Sequence, residues 1–333
     1  MAKGKQNAAS LLTCEAETRR PFIHHLNADT SWLIQIPRND DHPRPYFNLL
    51  IDPWLTTSQI EFSRFFHEQA HTVPSAFQTI AEIESFIQAI ELRACTLRNT
   101  PAPSQPPDSY IDAVACSLTL TDHVHEPTLR QLHPSVPLLV REDALYVKKW
   151  NHFTTIAAIP PFQGSWQTTT LPSLPSWLGI GSLAMTKDLQ GIHKGLVVSF
   201  SGTRHPTAEA IVYMPHGIPA EQMDFLRERD PPLRVLALLH GLLNVKVGLS
   251  WLGYSDANLG AHNGLKLQRL LEAEYWAGTH DEMKVEKGFT SWILTQNPIS
   301  LEEALERERE ECGQELARPN WRDVGNGGSL VLV

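Results

Sequence analysis

The sequence predicts an α/β layered fold. Three observations carry this reading: strand-length apolar runs recur in both halves, segments with helical spacing lie between several of them, and residues 111–159 run in the order strand, loop, helix, strand, helix, strand. The second half repeats the strand-rich theme of the first, so two similar β-rich layers within one domain are expected.

Residues 1 to about 20 read as a flexible arm, and residues 21–333 as a single domain. The runs "TSWLIQIP" (30–37) and "FNLLIDPWL" (47–55), joined by the polar turn "RNDDHPRP", predict a β-hairpin. Residues 58–71 and 80–98 carry helical spacing, and in the second Ile83, Phe86, Ile87 and Ile90 share one face. Four prolines within residues 98–109 require an irregular connection. There follow a strand "IDAVACS", a loop containing "DHVH", a short helix from Glu126 to Leu132, the strand "VPLLV", a helix over 141–150 and the strand "FTTIAAI". After a Pro/Ser/Thr-rich stretch at 160–176, strands are expected at "WLGIGSLAM", "GLVVSF", "EAIVYM" and "LRVLALL", the last two flanking a helix-like 219–229. "LGAHNGLKLQRLLEAE" reads as a helix and "YWAGTHDE" as a short strand running into a loop. Ser300 and Glu303 form a capping-box pair ahead of a helix over 301–312.

Composition narrows the function. Hydrophobic residues make up 42% and charged residues 20%, ordinary values for a globular chain. The formal net charge is -9 and no Lys/Arg cluster stands out, which argues against a nucleic-acid partner because phosphate binding needs a basic footprint. Four scattered cysteines form no CxxC pair, and no uncharged apolar run of about 18 residues occurs, so a cytoplasmic protein without a membrane partner is expected. There is no G-x-S-x-G elbow and no G-x-x-x-x-G-K phosphate loop, which excludes the usual serine-hydrolase and nucleotide-binding signatures.

The histidines are informative by position. Three groups directly follow apolar strands: Asp122, His123 and His125 after 111–116, His216 in "YMPHG", and His280 with Asp281 in "YWAGTHDE". Strand C-termini converging on one sheet edge are where α/β proteins build sites. Imidazole with carboxylate is a ligand set that suits zinc and related ions. For any one such histidine a capped turn is the ordinary explanation; three groups sharing one placement point to a common site. His240 ends another apolar run and is a candidate for the mouth of the same pocket, and Trp166 and Trp177 lie in a loop able to cover a substrate.

The order of these motifs resembles the metallo-β-lactamase superfamily over roughly residues 22–290. "NLLIDPWL" resembles its first motif, a strand ending in Asp, here Asp52. "SLTLTDHVHE" falls where the family carries H-x-H-x-D-H, and "YWAGTHDE" resembles its last, histidine-bearing motif. The resemblance implies an αββα sandwich of two mixed β-sheets flanked by helices. It also implies a metal site formed by Asp122, His123, His216 and His280, with Asp52 and Asp281 in support behind the ligands. The signature is degenerate, because its two earlier histidines fall on Leu118 and Leu120. Leucine cannot ligate a metal, so one divalent ion is implied rather than two: zinc, or else manganese or iron. The two leucines are then expected to wall the pocket with no acid or imidazole in their place. A third histidine before the "YMPHG" strand has no clear counterpart, His205 in "SGTRHP" being the nearest candidate.

On this reading the chain is a mononuclear metal-dependent hydrolase of a small ester, lactone or thioester in specialised metabolism. Asp122 and His125 are the candidate catalytic residues, His125 as the proton carrier. Two alternatives stand beside it: a non-hydrolytic lyase, isomerase or cyclase using the pocket histidines without metal, and a non-catalytic binding protein on the same fold.

Overall fold

The structure, a computed structural model, describes residues 19–38, 42–188, 190–202, 207–228, 230–249, 251 and 253–333. Most of the expected N-terminal arm and His205 lie outside the described residues. The strands of the first half are β1 (Phe22–His25), β2 (Trp32–Pro37), β3 (Tyr46–Ile51), β4 (Gln59–Glu61), β5 (His67–Ala70), β6 (Ala113–Ala115), β7 (Leu138–Val140) and β8 (Ile156–Ala158). Those that follow are β9 (Leu178–Ala184), β10 (Lys194–Phe200), β11 (Ala208–Tyr213), β12 (Leu233–Leu239), β13 (Leu243–Leu249) and β14 (Gly253–Leu259). The last are β15 (Tyr275–Ala277), β16 (Val285–Lys287), β17 (Leu294–Pro298), β18 (Trp321–Arg322) and β19 (Ser329–Val331).

Two mixed sheets face each other. The first runs β19-β1-β2-β3-β6-β7-β8 and the second β18-β15-β12-β11-β10-β9. In each, an antiparallel portion gives way to parallel pairing, at β3–β6 in the first and β11–β12 in the second. The alternation along β2 shows why the strands lie there: Trp32, Ile34 and Ile36 enter the core between the sheets, while Leu33 joins the cluster on the outer face. Burial on both faces explains the near-continuous apolar runs in the sequence.

Helices close both outer faces. Ile80–Leu97 covers the first sheet with Ile83, Ile87 and Ile90 buried, and Thr79 caps its first turn by accepting from the Glu82 N–H. Gly260–Leu271 and Leu301–Cys312 cover the second sheet, the latter opened by the Ser300/Glu303 capping box. The αββα sandwich of two mixed sheets is therefore present.

Several local expectations are corrected. Residues 58–71 form the β4–β5 hairpin, not a helix. Phe62, Phe65 and Phe66, which set the helical spacing, stand exposed at its tip. The 141–150 segment is a 3-10 helix, Glu142–Trp150, and the short helix at Glu126 ends at Leu129. Residues 219–229 contain two brief 3-10 turns. Two further small sheets, β14-β13-β17 and β16-β5-β4, were not expected. No helix among the described residues is long and apolar enough to cross a membrane.

Three buried histidines away from the centre make stability acid-sensitive. Burial pulls His24, His25 and His240 each down to about 4. Their unfolded value is near 6.5, so below that pH the unfolded chain binds the more protons and stability falls. The melting temperature is expected to drop as pH falls from about 6.5 towards 4, through these three groups. A flat melting temperature across that window would contradict neutral, buried imidazoles.

Candidate metal centre

Chain entry to the site is set by strand ends. Asp52 follows β3, the "DHVH" loop follows β6, His216 follows β11 and His280 follows β15. Because β3 pairs in parallel with β6, and β11 with β12 and β12 with β15, these ends share one edge of the sandwich. Two of these residues take left-handed backbone, Asp52 at φ +43° and His280 at φ +59°. Such conformations are costly for non-glycine residues and persist where the surroundings fix them. Gly217, at φ +77°, makes the turn after His216; a Cβ there would sit 2.7 Å from His240 Nε2.

Each of three imidazoles is held by its Nδ1. His123 Nδ1–H donates to Asp52 Oδ2 at 2.6 Å, with both side chains fully buried. Asp52 is itself fixed by Ser117, whose N–H and Oγ–H donate to it at 2.7 and 2.5 Å. His216 Nδ1–H donates to Asn258 Oδ1 at 2.7 Å. His280 Nδ1–H donates to Asp29 Oδ1 at 2.8 Å, and its backbone N–H to the Asp29 carbonyl at 2.8 Å. Fixing the proton on Nδ1 leaves the other ring nitrogen as a lone pair.

These lone pairs face one another. His123 Nε2 and His216 Nε2 are 3.2 Å apart, and one nitrogen from each of His123, His216 and His280 lies within 4.8 Å of the others. Asp122 stands beside these three, with Oδ1 3.7 Å from His123 Nε2 and Oδ2 3.9 Å from His280 Nε2. Bonds of about 2.0–2.1 Å to a tetrahedral ion place neighbouring ligand nitrogens about 3.4 Å apart, close to the observed 3.2 Å. Two buried imidazole lone pairs at that distance repel unless a cation or proton lies between them. The donor set therefore fits one divalent ion.

The electrostatics keep His216 and His280 neutral and let His123 carry a proton that a bound cation would displace. Burial, reinforced by His280 and His123, pushes the His216 imidazole well down, and burial lowers His280 as well. Burial also lowers His123, but the Asp122 and Asp52 carboxylates more than offset it and the net direction is up. Burial would raise the Asp122 carboxyl, yet His123, Lys284 and His280 together hold it well below the usual range.

Four residues here were missed in the sequence. Asp29 and Asn258 orient two of the imidazoles. Lys284 Nζ lies 2.9 Å from Asp29 Oδ2, 3.6 Å from Asp122 Oδ2 and 5.5 Å from the Trp54 ring centre. It supplies the positive charge for the cluster Asp29, Asp122 and His280, whose ligand atoms also lie within 4.8 Å of one another. His67 lines the cavity beside the site, a space of about 140 Å³ that Glu61, Leu120, Asp122, His216 and Lys284 also line. The signal was faint. Asp29 and Lys284 sit 251 and 4 positions from His280, and only the second spacing is local.

Other expected site residues lie elsewhere. Leu118 is fully buried away from the cavity, and only Leu120 lines it. Glu61 and His67 line the same cavity as Leu120, so the expected wall without acid or imidazole is corrected to a polar one. His125 turns away: its Nδ1 is 2.8 Å from Thr128 Oγ1 and its Nε2 3.2 Å from Thr57 Oγ1. His240 is buried against the Gly241 carbonyl and Asn263. Asp281 accepts from the Leu242 and Leu243 N–H groups at 2.6 and 2.8 Å, holding the β12–β13 turn, and burial raises its carboxyl to about 7. Trp166 and Trp177 pack against the cores.

No protein-family model matches the sequence, and no curated protein matches it. Solved structures do. The chain is similar to "a possible metal-dependent hydrolase" from Veillonella parvula DSM 2008, with TM-score 0.54 and 10% identity, covering 94% of this chain and 99% of that one. It is also similar to the isothiocyanate hydrolase from Delia radicum gut bacteria, with TM-score 0.52 and 14% identity over 93% of this chain and 98% of that one. The fold is the metallo-β-lactamase fold. The metallo-β-lactamase fold protein YhfI of Bacillus subtilis aligns with TM-score 0.49 at 11% identity, over 94% of this chain and 99% of that one. At these identities the likeness speaks for the fold, and the chemistry rests on the residues.

Within the metallo-β-lactamase fold, the grip on His123 is the clearest support device, and it yields a test. Asp52→Asn keeps the volume but removes the charge that fixes the His123 proton on Nδ1. Zinc affinity is expected to fall about 10–100-fold. Competition against a chromophoric chelator measures it, and unchanged affinity would remove Asp52 from the support of His123.

Proposed function

We propose that the chain is a mononuclear metal-dependent hydrolase whose ion is held by Asp122, His123, His216 and His280. The observation that carries this is the 3.2 Å approach of His123 Nε2 to His216 Nε2, with each ring's Nδ1 proton already committed. A bound divalent ion supplies Lewis acidity and a water acidic enough to act as nucleophile near neutral pH. Zinc suits the three-nitrogen, one-carboxylate set, as do manganese and iron.

The chain's own residues provide the rest. Asp52, Asn258 and Asp29 keep three lone pairs aimed at one point. Lys284, held by Asp29, presents positive charge to the cavity, where it stabilises negative charge developing on a substrate oxygen. With His125 turned away, His67 is the imidazole that faces the cavity outside the ligand set, and it is assigned the proton transfer. The small cavity supports a small ester, lactone or thioester as substrate, and the lack of a basic cluster supports no nucleic-acid role.

Lys284 also favours a second reading, in which an ammonium beside Asp122 serves a non-hydrolytic reaction without metal. Chelation separates the two, and His67→Gln tests the proton transfer. The metal-dependent reading expects turnover of a small thioester to fall by about 10²–10⁴-fold while metal content is unchanged. Full turnover in that variant would remove His67 from the reaction. Turnover by wild-type protein that survives complete chelation would favour the metal-free reading.

A further inference from the structure

The rim of the site carries an unusual surface. Phe62 is 93% exposed, Phe65 91%, Trp292 86% and Trp251 76%, with Phe289 also exposed. They occupy three neighbouring turns. The β4–β5 tip holds Phe62, Phe65 and Phe66, and the Phe62 and Phe66 rings pack at 5.4 Å. The turn after β16 is clasped to that tip, its Phe289 and Thr290 N–H groups donating to the Phe65 and Phe66 carbonyls at 2.9 and 3.0 Å. Gly288, at φ +90°, permits the clasp, because a Cβ there would meet the Phe66 and Arg64 carbonyls within 2.9 Å. The β13–β14 tip, with Trp251, is tied to the same turn through the Gly248 N–H and the Ile293 carbonyl at 2.9 Å.

Exposed apolar side chains scattered singly are ordinary; several large aromatics on three turns tied by backbone hydrogen bonds are not. Phe62 also holds φ +60°, a costly conformation for a bulky residue that a packing need of the folded monomer does not explain. The charges on these tips are one-sided. Arg64 and Lys287 are exposed. The acids of the same sheet turn inward: Glu61 accepts from the Thr121 N–H, Glu68 from Ser58, and Glu286 from Gln69 and Gln296. The rim thus shows cations to solvent in a chain whose net charge is -9.

We propose that these three tips dock the protein on an anionic lipid bilayer. Aromatic side chains flanked by Arg and Lys are the composition that settles at the headgroup boundary, with burial of about 5–10 Å. Docking of this kind needs no spanning helix. Overall negative charge does not oppose it, since fields beyond about 8–10 Å are screened and only the rim approaches the surface. A second copy of the chain is the poorer occupant. A two-fold contact through these tips would gather Arg64 and Lys287 of both copies, four like charges, into one interface. Docked in this way, the protein turns toward the lipid the face whose β5 and β16 strands also line the site cavity through His67 and Glu286. The inference stands apart from the hydrolytic reading, since it concerns the rim alone.

Flotation of the full chain with vesicles of equal parts phosphatidylcholine and phosphatidylserine, against phosphatidylcholine alone, tests it. The chain is expected to float with the mixed vesicles and less with the neutral ones. The double variant Phe62→Ser/Phe65→Ser should lose at least about tenfold in partition coefficient. The double variant Arg64→Glu/Lys287→Glu should lose the preference for anionic vesicles. All four positions are exposed, so an unchanged melting temperature is expected and separates lost docking from lost fold. Failure of the full chain to float with either vesicle overturns the proposal, as does unaltered flotation of the Phe62→Ser/Phe65→Ser variant. A concentration-dependent dimer that this variant dissolves, with no flotation, assigns the rim to a second copy and likewise overturns it.

Discussion

Replacing His123 with alanine is expected to abolish hydrolytic turnover, by about a thousandfold or more, together with most bound metal. His123 ties the set together: its Nε2 lies 3.2 Å from His216 Nε2 and 3.7 Å from Asp122 Oδ1, and Asp52 holds its Nδ1. Loss of several kcal/mol of transition-state stabilisation from the ion corresponds to at least about 10³ in rate. The fold is expected to survive, because Asp52 keeps the Ser117 N–H and Oγ–H as donors. Turnover and metal content measured on one preparation, with circular dichroism as the fold check, decide it. Full activity in the variant would refute a metal-centred reaction.

The largest effect on stability is expected from Lys284→Met. The ammonium is almost fully buried between Asp29 and Asp122, and removing it leaves two buried carboxylates without their cation. Breaking such an arrangement from one side costs about 3–5 kcal/mol. For the metal-free protein this is a fall in melting temperature of roughly 4–7 °C. The pH dependence has a definite sign. Asp29 and Asp122 are held below their unfolded values, near 3.9, so their contribution is present above that pH and is lost as pH falls through the folded values. Burial lowers Lys284, but Asp29 and Asp122 raise it further, so its contribution is present below its unfolded value near 10.4 and is lost as pH rises through the folded one. The gap between wild type and variant should thus be widest between about pH 4 and 10 and close below it. A constant gap down to pH 2 would show that the loss is packing alone.

Legibility in the sequence followed the range of the interactions. The β2–β3 hairpin and the helices at 80–97, 260–271 and 301–312 were readable because their periodicity and caps are local. The β4–β5 hairpin was misread as a helix because Phe65 and Phe66 supply apolar spacing without burial, and periodicity cannot tell a solvent-facing aromatic from a core one. In the site, the strand-end motifs announced Asp122, His123, His216 and His280. Their supports were less visible. Asp52 closes a motif, whereas Asn258 belongs to none of the motifs, and Asp29 reaches His280 across the sandwich. His125 shows the converse: its spacing from His123 suggested chemistry, but the turn before Glu126 sends its ring to Thr57 and Thr128.

The most direct test is zinc titration of the metal-stripped full chain by calorimetry. A single site of about one equivalent is expected, with protons released on binding at pH near 6.5 as the raised His123 gives up its charge. The site should be absent in His216→Ala. No heat and no bound zinc in the wild-type chain, or two equivalents bound equally tightly, would contradict a mononuclear centre at these four residues.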